Sequence, residues 1–277
     1  LPLSGRRNRV TTLHDGRYQM ALVPGLYDLR AAGFGYAPER VERIQILTDT
    51  VRRVDFQLTA RPTGTLTAQV SISGTSRPPT LPLQARMLGT PLSVTVRPSG
   101  LFTFSVPGGA YTVELRGNGY RVVAATAAVT VGETTDLSMQ VEPAPQLLLV
   151  DEGTAYFASE IALWREALDA LRYAYDLYEI KVGQTPISRT LLGYDIVLWS
   201  SPYGSPGFVA GNVALKGYLE GGGRLLLSGQ NVAFNDAGGT PFGPGAQSYL
   251  YEMMGVAFDS EEPQSEEERA DADDGGD

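Results

Sequence analysis

The sequence predicts a multidomain chain: two antiparallel β-sandwich domains followed by an incomplete, doubly wound α/β domain. Three observations predict it. A set of motifs recurs at a spacing of 84 residues through the first half of the chain. That half also alternates apolar and polar side chains in short runs, the period of half-buried strands. After Pro143-Ala-Pro145 the pattern becomes continuous apolar runs separated by helical spacing, as in strands buried on both faces of a parallel sheet.

The first repeat reads Asp15-Gly-Arg-Tyr18, Val23-Pro-Gly-Leu-Tyr27, Gly35-Tyr36 and Val54-Asp-Phe-Gln-Leu58. The second reads Ser99-Gly-Leu-Phe102, Val106-Pro-Gly-Gly-Ala-Tyr111, Gly119-Tyr120 and Leu137-Ser-Met-Gln-Val141. In each, a strand at 18–22 or 102–106 meets a Pro-Gly turn, where proline presets one dihedral and glycine accepts positive φ. The chain then returns over 26–30 or 111–115, which predicts a hairpin. Further strands are expected near 41–47, 51–58, 121–131 and 134–141, and a leading strand at 64–71 belongs to the second unit alone. The implied domains are 1–61, clipped at its N-terminus and left with an unpaired edge, and 62–143, complete.

The third domain is expected over 144–258. Gln146–Val150 reads as a buried parallel strand ending in Asp151-Glu152-Gly153. Ser159 can cap a helix that carries Ile161, Trp164, Leu168 and Leu171 on one face. Strands follow at 175–182, 194–200 and 224–228; a helix near 207–220 buries Phe208, Leu215 and Leu219 and stops at Gly221-Gly-Gly223. A last helix is expected over 246–254. Residues 259–277 hold ten acidic side chains and one arginine, with no aromatic or branched apolar residue, which predicts a disordered acidic tail.

Composition excludes several chemistries. The 277 residues contain no cysteine and one histidine, His14. Disulfides, thiolate zinc sites, cysteine nucleophiles and multi-histidine metal sites are therefore absent. The formal charge of −9 belongs to the tail, because the other 258 residues hold 21 acidic and 21 basic groups. Arg6, Arg7, Arg9, Arg52 and Arg53 come without a nucleic-acid fold motif, so no nucleic-acid partner is expected. No apolar run reaches the roughly 18 residues of a membrane-spanning helix. No signal sequence is visible, and an opening at Leu1 is what an excised piece would show.

The repeat signature resembles the carboxypeptidase regulatory-like domain, whose relatives have transthyretin-like or carbohydrate-binding-like β-sandwich folds. Leu147–Gly153, Tyr194–Ser200 and Gly222–Gln230 resemble an accessory domain of large secreted bacterial peptidases, subtilisin-like ones among them. That module is similar in outline to class I glutamine amidotransferase-like and flavodoxin-like folds. The resemblance implies a non-catalytic accessory or spacer segment of a secreted serine peptidase. Its setting would be extracellular, and its partner the remainder of its own polypeptide, a protease domain included. The module stops early: further strands are expected after Phe258, where the acidic tail comes instead.

The chemistry candidates lie in the α/β part. Ser228 occupies the turn that carries the cysteine nucleophile in amidotransferase-like folds. A serine there needs a base, and residues 144–277 contain no histidine, so a degenerate nucleophile position is the expectation. Asp151, Glu152, Ser200, Ser201, Ser228 and Gln230 are expected to gather along the carboxyl edge of the sheet, where doubly wound folds bind ligands. No cofactor is expected, with Ca²⁺ or Mg²⁺ on the paired carboxylates as the alternative. His14 reads as a loop residue. A glycan- or cell-surface-binding module is the competing reading for the sandwiches. It needs two or three of Tyr18, Tyr27, Tyr36, Phe102, Tyr111 and Tyr120 to face outward. A hydrolase or amidotransferase-like enzyme in the α/β domain is the third reading.

Overall fold

The structure, a computed structural model, describes residues 8–156, 158–230, 232–236 and 253–255. The last helix expected over 246–254 lies outside them apart from Met253 and Met254, and the acidic tail lies outside entirely.

In the first repeat two strands, β1 (Gly25–Ala31) and β2 (Glu39–Ile46), pair antiparallel. The expected strands at 18–22 and 51–58 are not formed, so a two-stranded sheet stands where a sandwich was expected. Both segments keep the alternating burial of strands, with Tyr18, Met20 and Leu22, and Val54, Phe56 and Leu58, turned inward. Among the described residues neither segment makes a backbone–backbone hydrogen bond. Tyr18 and Phe56 stack at 6.2 Å, and the Tyr18 hydroxyl donates to the Val54 carbonyl at 2.7 Å.

The second repeat is a full sandwich. β3 (Thr63–Ile72), β6 (Leu101–Pro107) and β9 (Thr134–Val141) form one sheet in the order β6-β3-β9. β4 (Gln84–Met87), β5 (Ser93–Thr95), β7 (Gly109–Arg116) and β8 (Val123–Val129) form the other, in the order β5-β4-β7-β8. Inward residues Leu66, Leu83, Met87, Phe102, Phe104, Val113, Leu115 and Met139 fill the space between the sheets.

Two sequence expectations are corrected here. The segments around Pro107-Gly108 are not hairpin partners: β6 pairs with β3 while β7 pairs with β4 and β8. The turn is a corner carrying the chain from one sheet to the other. Both strands thereby bury their alternate apolar residues in the same core from opposite sides. Nor is the sandwich purely antiparallel, since β3 runs parallel to β9. β4 and β5 were not anticipated; the Leu83, Ala85, Met87 alternation is the signal that marks the first of them.

The repeat is a structural one. The Tyr27 hydroxyl donates to the Val23 carbonyl and the Tyr111 hydroxyl to the Pro107 carbonyl, both at 2.8 Å, so each tyrosine ties its own corner. Ala37 and Arg61 bond the carbonyls of Thr59 and Gly35, while Arg121 and Ala144 bond those of Glu142 and Gly119. Gly35 and Gly119 sit at φ of 83° and 95°, which explains the Gly-Tyr pair at both places.

Beyond Pro145 four parallel strands follow: β10 (Leu147–Asp151), β11 (Asp176–Glu179), β12 (Ile196–Ser200) and β13 (Arg224–Ser228). Their order is β11-β10-β12-β13. Between them lie α1 (Gly153–Tyr156), α2 (Ala162–Ala170), α3 (Ser188–Leu191) and α4 (Asn212–Glu220), and α5 (Val232–Asp236) follows β13. Leu148, Val150, Val197 and Trp199 pack towards α3, α4 and α5, while Leu147, Leu149 and Leu198 pack towards α2. Helices thus cover both faces of the sheet.

Helix details depart from the sequence pattern. Ser159 leaves α2 uncapped and bonds Asp151 instead, and Leu171 is exposed. The segment at 207–220 splits into a 3₁₀ turn over Pro206–Val209 and α4. Phe208 is exposed there, and Tyr218 is the anchor that the pattern missed. Its hydroxyl accepts from the Arg224 amide at 3.1 Å, which closes the Gly221–Gly223 turn onto β13.

The sandwich and the α/β sheet are joined by more than the linker. The Asn118 side chain donates to the Leu147 carbonyl at 2.8 Å and accepts from the Leu147 amide at 2.7 Å. Arg121 lies over the Tyr173 ring, 3.8 Å from its centroid, and donates to the Tyr173 hydroxyl and the Leu171 carbonyl. Arg116 pairs with Asp169 at 3.0 Å.

Candidate functional site

The parallel sheet sets the register of its carboxyl edge. Asp151, Ser200 and Ser228 stand side by side on β10, β12 and β13. Glu152 and Ser201 continue the line: the Glu152 amide bonds the Ser200 carbonyl at 3.0 Å, and the Ser201 amide bonds the Ser228 carbonyl at 2.7 Å. Five of the six expected edge residues are therefore on one line. Gln230 follows two residues beyond Ser228 and is exposed.

Strand alternation then separates the two acids, because successive side chains point to opposite faces. Asp151 turns towards the α2 face, where the Ser159 hydroxyl donates to Oδ2 at 2.5 Å. Its other carboxylate oxygen is buried without a hydrogen-bond partner among the described residues. Glu152 turns to the opposite face, where the Trp199 indole donates to Oε2 at 2.6 Å. The expected pairing of these carboxylates on one cation does not fit this divergence. Among the described residues no three His, Cys, Asp or Glu side chains are grouped to hold a metal.

Around Glu152 a buried polar cluster forms that the sequence pattern did not single out. Asp236, on α5, accepts from the Ser205 hydroxyl at 2.7 Å and from the Gly207 amide at 3.1 Å. Trp199, Ser201 and Ser205 are fully buried, Asp236 is 1% exposed and Glu152 5%. Burial pushes the Glu152 carboxyl up to about 7; Trp199 and Ser201 oppose the rise, and the Asp236 charge adds to it. The Ser201 hydroxyl lies beside the carboxyl without closing a well-formed hydrogen bond. One signal in the sequence could have found the cluster. A tryptophan at the penultimate position of a buried strand needs an acceptor for its N–H, and Glu152 directly follows the neighbouring strand.

Ser228 itself is exposed at the end of the edge strand β13. His14, the one histidine, lies exposed in the first repeat within the turn at 13–17. Gly229 is held where a Cβ would collide with the Ser201 carbonyl oxygen. The turn that carries a nucleophile in the resembling folds is thus pressed against the neighbouring strand end. A hollow of about 420 Å³ opens nearby, lined by Tyr156, Lys181, Thr185, Gly207 and Phe208. A larger one, about 470 Å³, lies at the opposite, amino edge of the sheet between Pro143, Tyr194, Tyr218 and Arg224. That is away from the edge where such sheets bind ligands.

The six aromatic candidates of the sandwiches do not form an outward platform. Phe102 and Tyr120 are buried, Tyr18, Tyr27 and Tyr111 are half-buried, and Tyr36 is exposed. The Tyr120 hydroxyl is spent on the amides of Thr80 and Leu81.

No family model matches the chain, and no curated protein matches it. Among solved structures it is similar to the Bacillus anthracis TIE protein, at 16% identity over 42% of this chain and 22% of that one, TM-score 0.27. It is also similar to GBS52, the minor pilin of Streptococcus agalactiae, at 11% identity over 40% and 55% of the two chains, TM-score 0.27. A DUF3823 family protein from Parabacteroides merdae matches at 21% identity over 31% and 48%, TM-score 0.25. The chain spans about a fifth of the first of these proteins and about half of the other two.

Proposed function

We propose that the chain is a non-catalytic accessory segment of a multidomain extracellular protein, holding its neighbours at a fixed separation and orientation. The observation that carries this reading is the junction at residue 118. Asn118 bonds both backbone groups of Leu147, the first residue of β10, Arg116 pairs with Asp169 of α2, and Arg121 holds Leu171 and Tyr173 just beyond that helix. A flexible linker between independent enzymes has no use for such a clamp. A spacer does. The recurring corner tyrosine and Gly-Tyr turn support the carboxypeptidase regulatory-like reading, and the strand order with helices on both faces supports the amidotransferase-like one. A secreted peptidase is the parent that these two resemblances favour together. In that reading the carboxyl edge is a retained but closed site, since Trp199 engages Glu152 and Ser159 engages Asp151.

NMR relaxation on the chain tests it. The amides of 62–143 and 144–230 are expected to share one rotational correlation time, and Asn118→Ala to split it into two. Independent tumbling in the unmodified chain refutes the spacer reading. So does amidase, esterase or peptidase turnover that disappears in Ser228→Ala.

A further inference from the structure

The face of the sheet to which Asp151 turns carries a second acid, Glu179. Residues in register on adjacent parallel strands put their side chains on the same face. Asp151 stands opposite Glu179 of β11 on one side and Ser200 of β12 on the other. Each lies two residues beyond a leucine that packs towards α2: Leu149, Leu177 and Leu198. Glu179, Asp151 and Ser200 therefore form one row on the α2 face, and Glu152 lies on the other face.

The strand order puts this row where the sheet reverses direction. From β10 the chain goes to β11 on one side and then to β12 on the other. The switch point, where open α/β sheets take up ligands, lies between β10 and β12, and Asp151 and Ser200 flank it. Both are buried, at 0% and 4% exposure. Ser159 donates to Asp151 Oδ2 at 2.5 Å and so fixes the carboxylate, while Oδ1 is buried without a hydrogen-bond partner among the described residues. Among them the Ser200 hydroxyl makes no hydrogen bond either, and Glu179, exposed at the rim, makes no ion pair. A carboxylate oxygen shut off from both water and donors is unfavourable until a donor or a cation meets it.

We infer that this row is a calcium site: Asp151 Oδ1, the Glu179 carboxylate and the Ser200 hydroxyl bind one Ca²⁺, and solvent oxygens complete its shell. Every donor is an oxygen, which selects a hard cation, and the two carboxylates match its charge. Ca²⁺ accepts six to eight oxygens in flexible geometry, so hydroxyl and water can stand where a third carboxylate is missing. Mg²⁺ demands near-octahedral geometry and gives up its waters reluctantly. A buried Oδ1 has to be met by direct contact, which favours the ion that sheds water more readily. Glu179, at the exposed end of the row, lets the ion enter from solvent. Once bound, the ion ties β11, which pairs with β10 alone among the described strands, to both β10 and β12. This inference goes beyond the spacer reading and does not depend on it.

The probe is CaCl₂, titrated into the whole chain after dialysis against a chelator and followed by amide NMR shifts. The amides of Asp151, Glu179 and Ser200 are expected to shift together and to saturate with a Kd of about 0.1–1 mM. Glu179→Gln is expected to weaken binding at least tenfold and Asp151→Asn to abolish it. Glu152→Gln, next in the chain but on the opposite face, is expected to change it less than threefold. Glu179 is exposed, so its variant decides the matter even where Asp151→Asn unfolds the sheet. Absence of saturable shifts at the row overturns the inference, as do shifts confined to residues 259–277 with their ten acidic side chains. An affinity that Glu179→Gln leaves unchanged, or that Glu152→Gln lowers as much, also overturns it. MgCl₂ is expected to bind at least tenfold more weakly, and equal or tighter binding overturns the assignment to calcium.

Discussion

The Glu152 carboxyl is held above its ordinary range by burial, so the stability of the α/β sheet should fall as the pH rises from 4.5 to about 7. The sign follows from proton binding. The folded chain keeps this proton up to about 7 whereas the unfolded chain releases it near 4.5, so between those values the native state binds more protons. Stability from this group is fully present below 4.5 and is lost as pH approaches 7, with no further change above. The whole displacement corresponds to about 3 kcal/mol. Glu152→Gln removes the titration and keeps an oxygen for the Trp199 indole. Compared with the unmodified chain it should be near neutral in stability at pH 4.5 and gain steadily until about pH 7.5, by about 2–3 kcal/mol in all. Urea unfolding at half-unit intervals of pH measures this, with tryptophan fluorescence as the signal. Trp164 and Trp199 are the two tryptophans of the sequence and both lie in the α/β part, so the sandwiches are silent. A difference between the two proteins that stays constant from pH 4.5 to 8 would refute the argument, since it would mean that Glu152 does not change protonation in the fold.

Three further outcomes are expected. Asn118→Ala leaves both backbone groups of a buried residue without their partners and should cost about 2–4 kcal/mol; a lower unfolding midpoint and new proteolytic cleavage at 143–146 are the readouts. Gly229→Ala drives a methyl group into the Ser201 carbonyl and should cost more than about 2 kcal/mol, whereas Gly222→Ala meets open space and should cost about 1 kcal/mol through its positive φ; urea midpoints separate them. Tyr111→Phe removes the hydrogen bond that ties the corner at Pro107 and should lower the sandwich's calorimetric stability by about 1 kcal/mol, and an unchanged melting temperature would show the corner to be held by packing alone.

Much of this architecture is legible in the residues. The runs at 147–150, 196–199 and 224–227 carry their strand character in composition, because a strand covered on both faces needs no polar alternation. The repeat is legible for a different reason: its Pro, Gly and Tyr residues answer local backbone demands, which a sequence states directly. Pairing is where the residues fall silent. Val106-Pro-Gly reads equally as a hairpin turn or as a corner between sheets, and β3, the strand that β6 pairs with, lies 32 to 44 residues away. The same holds for the candidate site. Asp151, Ser200 and Ser228 align because strand ends align in a parallel sheet, so their neighbourhood was predictable. The opposite facing of Asp151 and Glu152 was available in the period-two rule. Asp236 was not, since its approach to Ser205 depends on where α5 packs.

The parallel pairing of β3 with β9 has a mechanical consequence. These are the first and last strands of the second sandwich, so the chain enters at Thr63 and leaves at Val141, at opposite ends of the same pair. Tension applied through the neighbouring segments cannot peel one strand from the other a bond at a time. It slides them lengthwise, and the eight registered residue pairs from Thr65–Thr134 to Ile72–Val141 bear the load together. Drawn between its two ends, this domain should yield at high force and in a single step. That resistance comes from topology, whatever the strength of any one contact.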